Sequence, residues 1–411
     1  MPEDNTLKTI PSHVPRHHIW GLLIGFSLFH ISQSIFWQFG ALYLFSGIGE
    51  TAFFLIGLVG GLPVLVGVTG VYFWGALSDR WQRRIPFMTI GFVAQALAFF
   101  LYIVIQDSLS FLLVTCAAYL FSVAAVPMAN AYLTEARVYK GGSVGLLLAT
   151  SSLGWSVGAF GGGFLISVIQ MSGLFLVGGV AYLVGVVIIL LFVREVPRTK
   201  TPDIQEVVNN PDLIPQTTSL WRSVLIVLAL TVAIGSIGVN AFSFFFGIYL
   251  VEELAGTTLM IGIANGFASL TGLGFTLFAG YGSDRFGRKP IILIGFLAYT
   301  VFMIVYFFVI DPWIAMIFWI IPLYPLVYTA SYAAAADLSG VDRRGRAMSI
   351  IATANLLGSA IGPIAGGALV QFVLPTLRGN MIFAVGFNLL AFALVLLLVP
   401  ETLQRIRKRP S

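Results

Sequence analysis

The chain has 411 residues, 58% of them hydrophobic and only 9% charged, with a mean hydropathy of +0.96. A water-soluble domain carries roughly 25% charged residues, so this composition excludes one and fits a bilayer as solvent. The net charge of +5 comes from short basic clusters between apolar runs, which argues against nucleic acid as a partner, and the single cysteine, Cys116, excludes a disulfide framework or a cysteine metal site.

Crossing a bilayer as a helix takes roughly 20 mostly apolar residues, because each backbone polar group must be satisfied within the segment. After a polar N-terminal tail, 1–17, six such runs lie near 18–45, 52–78, 85–106, 109–136, 142–170 and 172–193 and form an N-terminal unit, 18–193. The most polar stretch, 194–221, contains Pro197, Pro202, Pro211 and Pro215 and reads as a linker. Six further runs near 222–250, 258–282, 290–310, 312–338, 346–373 and 379–399 form a C-terminal unit, 222–399, followed by a tail, 400–411. The predicted fold class is therefore all-α, a polytopic membrane protein of twelve transmembrane helices.

Charge tests that segmentation independently. With the N-terminus inside, 21 of the 22 Lys/Arg lie on the cytoplasmic side and only Arg378 lies outside. Such asymmetry sets topology, so both termini are expected in the cytoplasm of a multi-pass plasma-membrane protein.

The two units repeat. Gly75-Ala-Leu-Ser-Asp79-Arg80-Trp-Gln-Arg83-Arg84 recurs 205 residues later as Gly280-Tyr-Gly-Ser-Asp284-Arg285-Phe-Gly-Arg288-Lys289. A glycine series at 154, 158, 162 and 163 recurs 204 residues later at 358, 362, 366 and 367. Two repeats at nearly one spacing mark an internal duplication.

The first repeat resembles the loop signature of the major facilitator superfamily, and the chain resembles that family's drug/proton antiporter-like branch more than its sugar porters. The resemblance implies two pseudo-symmetric six-helix bundles around a midplane cavity that opens alternately to each side. One departure is Gln82, where the pattern has glycine, and this predicts a looser turn in the first copy. The glycine-proline run around Pro363 is similar to the family's antiporter motif, but it sits on helix eleven, and helix five has Ala159 in place of the proline.

Asp79 and Asp284 face helices eleven and five in this reading. The positive N-terminal ends of those helices favour a carboxylate, so the two aspartates are candidate latches that hold the cytoplasmic side shut. Gly75, Arg80, Arg83, Gly280, Arg285 and Arg288 belong to the same gating signature, and Glu135, Arg137, Asp337 and Arg346 are candidates for the same network. The alternative is that these basic residues only enforce topology.

No Asp, Glu, Lys or Arg falls at the middle of any run. Intramembrane charge marks ion and charged-substrate paths, so a neutral or weakly charged cargo fits better. Helix one carries Ser27, His30, Ser34 and Trp37 at helical spacing, with Gln33 and Gln38 beside them, a polar stripe expected to face the cavity. His30 is the one titratable imidazole at depth, and two roles stay open for it: proton carrier, or neutral hydrogen-bond donor. Asn130, Asn240, Tyr324 and Tyr328 on helices four, seven and ten complete the expected substrate-binding set, with Asn265, Asn355 and Trp155 behind them. Pro127, Pro322, Pro325 and Pro363 are candidate hinges.

The leading reading is a secondary transporter, a proton-coupled exporter of small neutral or amphipathic compounds that works as a monomer without cofactor or metal. A carrier of sugars or other neutral solutes is the alternative, since Val399-Pro400-Glu401-Thr402 is reminiscent of sugar porters. A lipid transporter and a non-transporting sensor are further alternatives. A membrane enzyme is disfavoured because no nucleophile with a base, and no His and acidic metal ligands at helical spacing, occur in the chain, and the lack of a phosphate-binding loop argues against direct ATP drive.

Overall fold

A computed structural model describes residues 16–136, 140–195, 219–339 and 344–403 of the protein. Most of the expected tails and linker lies outside these limits. Among the described residues, eleven helical segments are long and apolar enough to cross a membrane. The longest, Gly145–Phe192, has 48 residues, about twice the length of one crossing. Its helix breaks at Gln170, whose backbone stands at φ 61°, ψ 173°, so that one segment divides into two passes where two were expected.

In chain order, helix one is Arg16–Leu42, helix two Phe53–Trp81 and helix three Ile85–Tyr102. Helix four comes in two pieces, Ser108–Ser122 and Ala125–Ala136, and helices five and six lie either side of Gln170 within Lys140–Phe192. Helix seven is Ser219–Ser243, helix eight Thr258–Phe286 and helix nine Arg288–Phe307. Helix ten is again divided, Pro312–Trp319 and Tyr324–Asp337, and is followed by helix eleven, Arg344–Phe372, and helix twelve, Arg378–Leu398.

The fourth and tenth spans expected from hydropathy each form one candidate crossing, Ser108–Leu133 and Pro312–Asp337, and each is interrupted within its length near the candidate hinge prolines. Proline lacks the N–H for the helical ladder, and its ring crowds the carbonyl four residues back. Pro127 places that conflict at Val123, where helix four opens, and Pro325 places it at Ile321, inside the gap of helix ten. Pro363 stays within a continuous helix eleven and marks no break.

The glycine repeats set how the helices assemble. Helix five packs on helix one and helix eleven on helix seven. A Cβ on Gly158 would overlap the Ile31 carbonyl, and one on Gly362 would crowd the Asn240 Cβ, so only glycine admits these approaches. The last glycine of each series turns the other way. Gly163 lies against Thr258 and Gly262 of helix eight, and Gly367 against Phe53 and Phe54 at the start of helix two. Three glycines thus close each half, and the fourth joins the halves.

Helices one and seven both end in π-helical turns, Tyr43–Ile48 and Tyr249–Glu253. The tyrosine that opens each turn donates to a carbonyl just beyond or at the end of the third helix of its own half, Tyr43 to Tyr102 at 3.0 Å and Tyr249 to Val309 at 3.1 Å. These turns, 206 residues apart, are a third element of the repeat.

Candidate functional site

The two ends of the molecule differ. One carries Glu50, Asp107, Glu252 and Asp311 and is called here the acidic end; the other carries the arginine-rich turns and is the basic end. At the acidic end the halves are sealed. Gly57 and Gly61 of helix two lie against Pro363 and Ala360 of helix eleven, as Gly163 does against Gly262, and Trp37 meets Phe244 edge to face at 5.9 Å between centroids. Polar bonds reinforce the seal: Ser46 Oγ donates to Glu252 Oε1 at 2.6 Å, and the Phe53 N–H to Gln371 Oε1 at 2.9 Å. Deeper in, Ser156 Oγ donates to the Gly266 carbonyl at 3.0 Å.

Towards the basic end the same helices part. A Cβ on Gly75, Gly145, Gly274 or Gly345 would meet nothing, and Tyr72 of helix two is 73% exposed. Asp79 and Asp284 pair within their own halves, Asp79 with Arg84 at 3.0 Å and Asp284 with Arg288. Arg288 also holds Asp337 at 2.9 Å. The guanidinium of Arg285 lies 5.6 Å from the Phe286 ring centroid and donates to Tyr281, and Arg80 and Arg83 are exposed. The nearest atom to a Cβ on Gly280 is on Thr329, and Arg346 lines a cleft described below. Arg137 and the side chain of Glu135 lie outside the described residues.

Arg84, part of the repeat but not of the expected gating set, is the structural counterpart of Arg288. Its backbone N–H and that of Ile85 both donate to Glu195 Oε1 at 2.8 Å, as those of Arg288 and Lys289 donate to Glu401 at 2.9 and 3.2 Å. Each glutamate satisfies N–H groups that a helix leaves free at its start. The first turn therefore holds one residue more than the second, Gln82 and Arg83 against Gly287, and the repeat spacing falls from 205 to 204 there. Gln82 takes the left-handed conformation itself, φ 56°, ψ 31°. Glu195 lies beyond the end of helix six, and its partial burial pushes its carboxyl above the ordinary carboxylate range.

At mid-depth the polar stripe of helix one divides. Ser34 Oγ donates to the Trp155 carbonyl of helix five at 2.7 Å, and the Cβ of His30 lies against Gly154. This edge faces the glycine ladder and not an open cavity, because glycine leaves the carbonyls of helix five within reach. His30 is 9% exposed between Phe26 and Phe29, and neither ring nitrogen has a hydrogen-bond partner among the described residues. Gln33 instead accepts from Tyr119 of helix four at 3.4 Å. Gln38 and Asn130 are half-buried.

In the second half, Tyr328 and Ser236 share a bond of 2.9 Å, and Ser236 Oγ donates to Asn355 Oδ1 at 2.7 Å. This trio links helices ten, seven and eleven. Asn240 donates to the Ser236 carbonyl at 2.9 Å. Tyr324 is not brought to the trio. It is 41% exposed and lines a groove of about 240 Å³ at the break of helix ten, where Trp319 donates to Asn265 at 2.9 Å.

Two related six-helix halves, sealed at one end and parted at the other, have the architecture of an alternating-access carrier. The sequence profile described as Major Facilitator Superfamily matches residues 22–325 and, in a second overlapping match, 228–410. The chain belongs to the Major Facilitator Superfamily. It is a multi-pass membrane transporter and not an enzyme. Multidrug resistance protein MdtG of Salmonella paratyphi A is 26% identical over 333 residues, 76% of this chain and 78% of that protein. Multidrug resistance protein MdtH of Photorhabdus laumondii is 29% identical over 162 residues, which span 39% of this chain and only 40% of that relative. Among solved structures, a bacterial homologue of the human lysosomal transporter Spinster, inward-facing and unoccupied, superposes with a TM-score of 0.75 at 14% identity, covering 93% of this chain and 96% of the other. A D-xylose-proton symporter gives 0.76 at 16% identity over 94% and 98%. At these identities the two structures share the fold alone.

Proposed function

We propose that the protein is a plasma-membrane exporter of small neutral or amphipathic compounds, driven by protons and acting as a monomer, with its termini and basic end in the cytoplasm. The observation that carries the reading is the neutrality of the polar groups at mid-depth. Gln33 with Tyr119, and Ser236 with Tyr328 and Asn355, present amides and hydroxyls without a fixed charge. Such groups orient a neutral compound, while the surrounding aromatic rings supply the apolar surface. The multidrug relatives support the direction of transport, and the basic clusters support the orientation.

His30 is the residue we assign to proton coupling. A buried polar group left without a partner costs about 1–3 kcal/mol, and packing alone gives no return on that cost. An imidazole that takes up and releases a proton as its surroundings open does. Glu401, part of the sequence that resembles sugar porters, is engaged in capping helix nine, so that run gives no support to a sugar cargo.

The test is reconstitution of the full chain into liposomes with an imposed pH gradient, assayed with neutral amphipathic dyes and with sugars. Proton-dependent movement of the dyes, abolished in His30→Gln, is expected. Full pH-driven transport by His30→Gln would remove the coupling role, and movement of sugars alone would replace the cargo assignment.

A further inference from the structure

At the parted basic end, helices two, seven and eleven frame a cleft of about 490 Å³, within the roughly 300–1,000 Å³ of small-molecule sites. Its lining is graded along the helices. Arg346 stands in the first turn of helix eleven, at the mouth, and Leu357 is eleven residues, roughly 16 Å, deeper on the same helix. Between them lie Thr353 and the apolar wall of helix seven, with Ile226 57% and Leu230 56% exposed, and Tyr72 closes the opposite side. Among the described residues Arg346 has no ion pair. The cleft therefore offers the Arg346 cation at its mouth and an apolar track running inward, which is the polarity gradient of a lipid in the adjoining leaflet.

We infer that this cleft binds one anionic phospholipid, its headgroup on Arg346 and an acyl chain along Ile226, Leu230 and Leu357. The cleft exists only while helices two and eleven are apart at this end, so the bound lipid favours the conformation described here. Charge complementarity selects the headgroup, because a zwitterionic lipid brings its own cation to a site that already has one. A single interfacial cation favours an anionic headgroup by about fivefold.

The experiment uses the purified full chain, delipidated in detergent and titrated with phosphatidylglycerol or phosphatidylcholine, with retained lipid counted by native mass spectrometry. One phosphatidylglycerol per chain is expected, about fivefold preferred over phosphatidylcholine. Arg346→Gln should abolish the preference, Arg346→Lys should keep it, and Leu230→Trp should displace the lipid while leaving the charge in place. Lys289→Gln, which removes a cation elsewhere on the basic end, should change nothing. The inference is overturned if Arg346→Gln retains the preference, if Lys289→Gln lowers it equally, or if Leu230→Trp binds as well as the parent.

Discussion

The carboxylate of Glu195 accepts the backbone N–H of Ile85 across 110 residues of sequence, at 2.8 Å, and so ties the end of helix six to the start of helix three. Losing such a cap costs about 1 kcal/mol, so Glu195→Ala should lower thermal stability in detergent, while Glu195→Gln keeps an acceptor in place. Burial raises the carboxyl's pKa in the folded state. The stability linked to a raised carboxyl pKa is fully present below the unfolded value and is lost as pH rises through the folded one. The parent and Glu195→Gln should therefore melt together at acid pH, and the Gln variant should melt higher above the raised pKa. Melting midpoints that keep a constant separation across pH would contradict this.

Gln82 occupies the left-handed region in the extended first turn, a conformation that costs a side-chain-bearing residue about 1–2 kcal/mol. Glycine adopts it freely but loses roughly 0.5–1 kcal/mol more chain entropy on folding. Gln82→Gly should leave a net gain of about 0.5–1 kcal/mol, read as a raised melting temperature with unchanged transport. A lowered melting temperature would show that the 2.6 Å bond from Gln82 Nε2 to the Asp79 carbonyl outweighs the backbone strain.

Helix number, the duplication and the absence of mid-span charge were legible in the sequence because length, spacing and composition express them directly. The division of helices four and ten was not. Hydropathy is blind to a proline that interrupts hydrogen bonds without making the run polar, although Pro127, Pro322 and Pro325 were visible as candidates. The ungapped repeat concealed the extra residue at Gln82–Arg83 and so matched Arg83 with Arg288. Aligning Arg84-Ile85-Pro86 with Arg288-Lys289-Pro290 would have revealed it. The facing of helix one was legible only in part, for another reason. Its polar stripe had two possible hosts, a cavity or a glycine-lined neighbour, and both tolerate Ser34 and His30 equally well on sequence grounds. The bond from Ser46 to Glu252 left no trace, since it depends on how two π-helical turns meet across the halves.

Gly61 should act as a hinge point of the seal. A Cβ there would overlap the Ala360 carbonyl and crowd Ile364, and backbone atoms cannot step aside as a flexible side chain does. Gly61→Leu is expected to part helices two and eleven at the acidic end and to slow transport by at least tenfold. Thiol labelling of Ser46→Cys should rise with it in a Cys116→Ser background. Unaltered labelling with normal transport would mean that the seal tolerates the side chain and does not depend on this contact.

Asp79 tests whether the basic end has a latch. With that end parted, its carboxylate is 63% exposed and paired with Arg84 of its own half. We propose that on closure it moves to the start of helix eleven, where free N–H groups and the helix dipole favour a negative charge by up to about 1 kcal/mol at an exposed site. Asp79→Asn removes that preference without changing shape, so it should bias the population about fivefold towards the parted state. Spin labels at Tyr72 and Ile350, on helices that approach each other when this end closes, would report the shift as lost short distances. Transport should slow at the step that closes the basic end, and Asp284→Asn, acting at helix five, should add to the effect. Distance distributions identical to the parent in both variants would rule out the latch and leave the basic cluster as a topology signal.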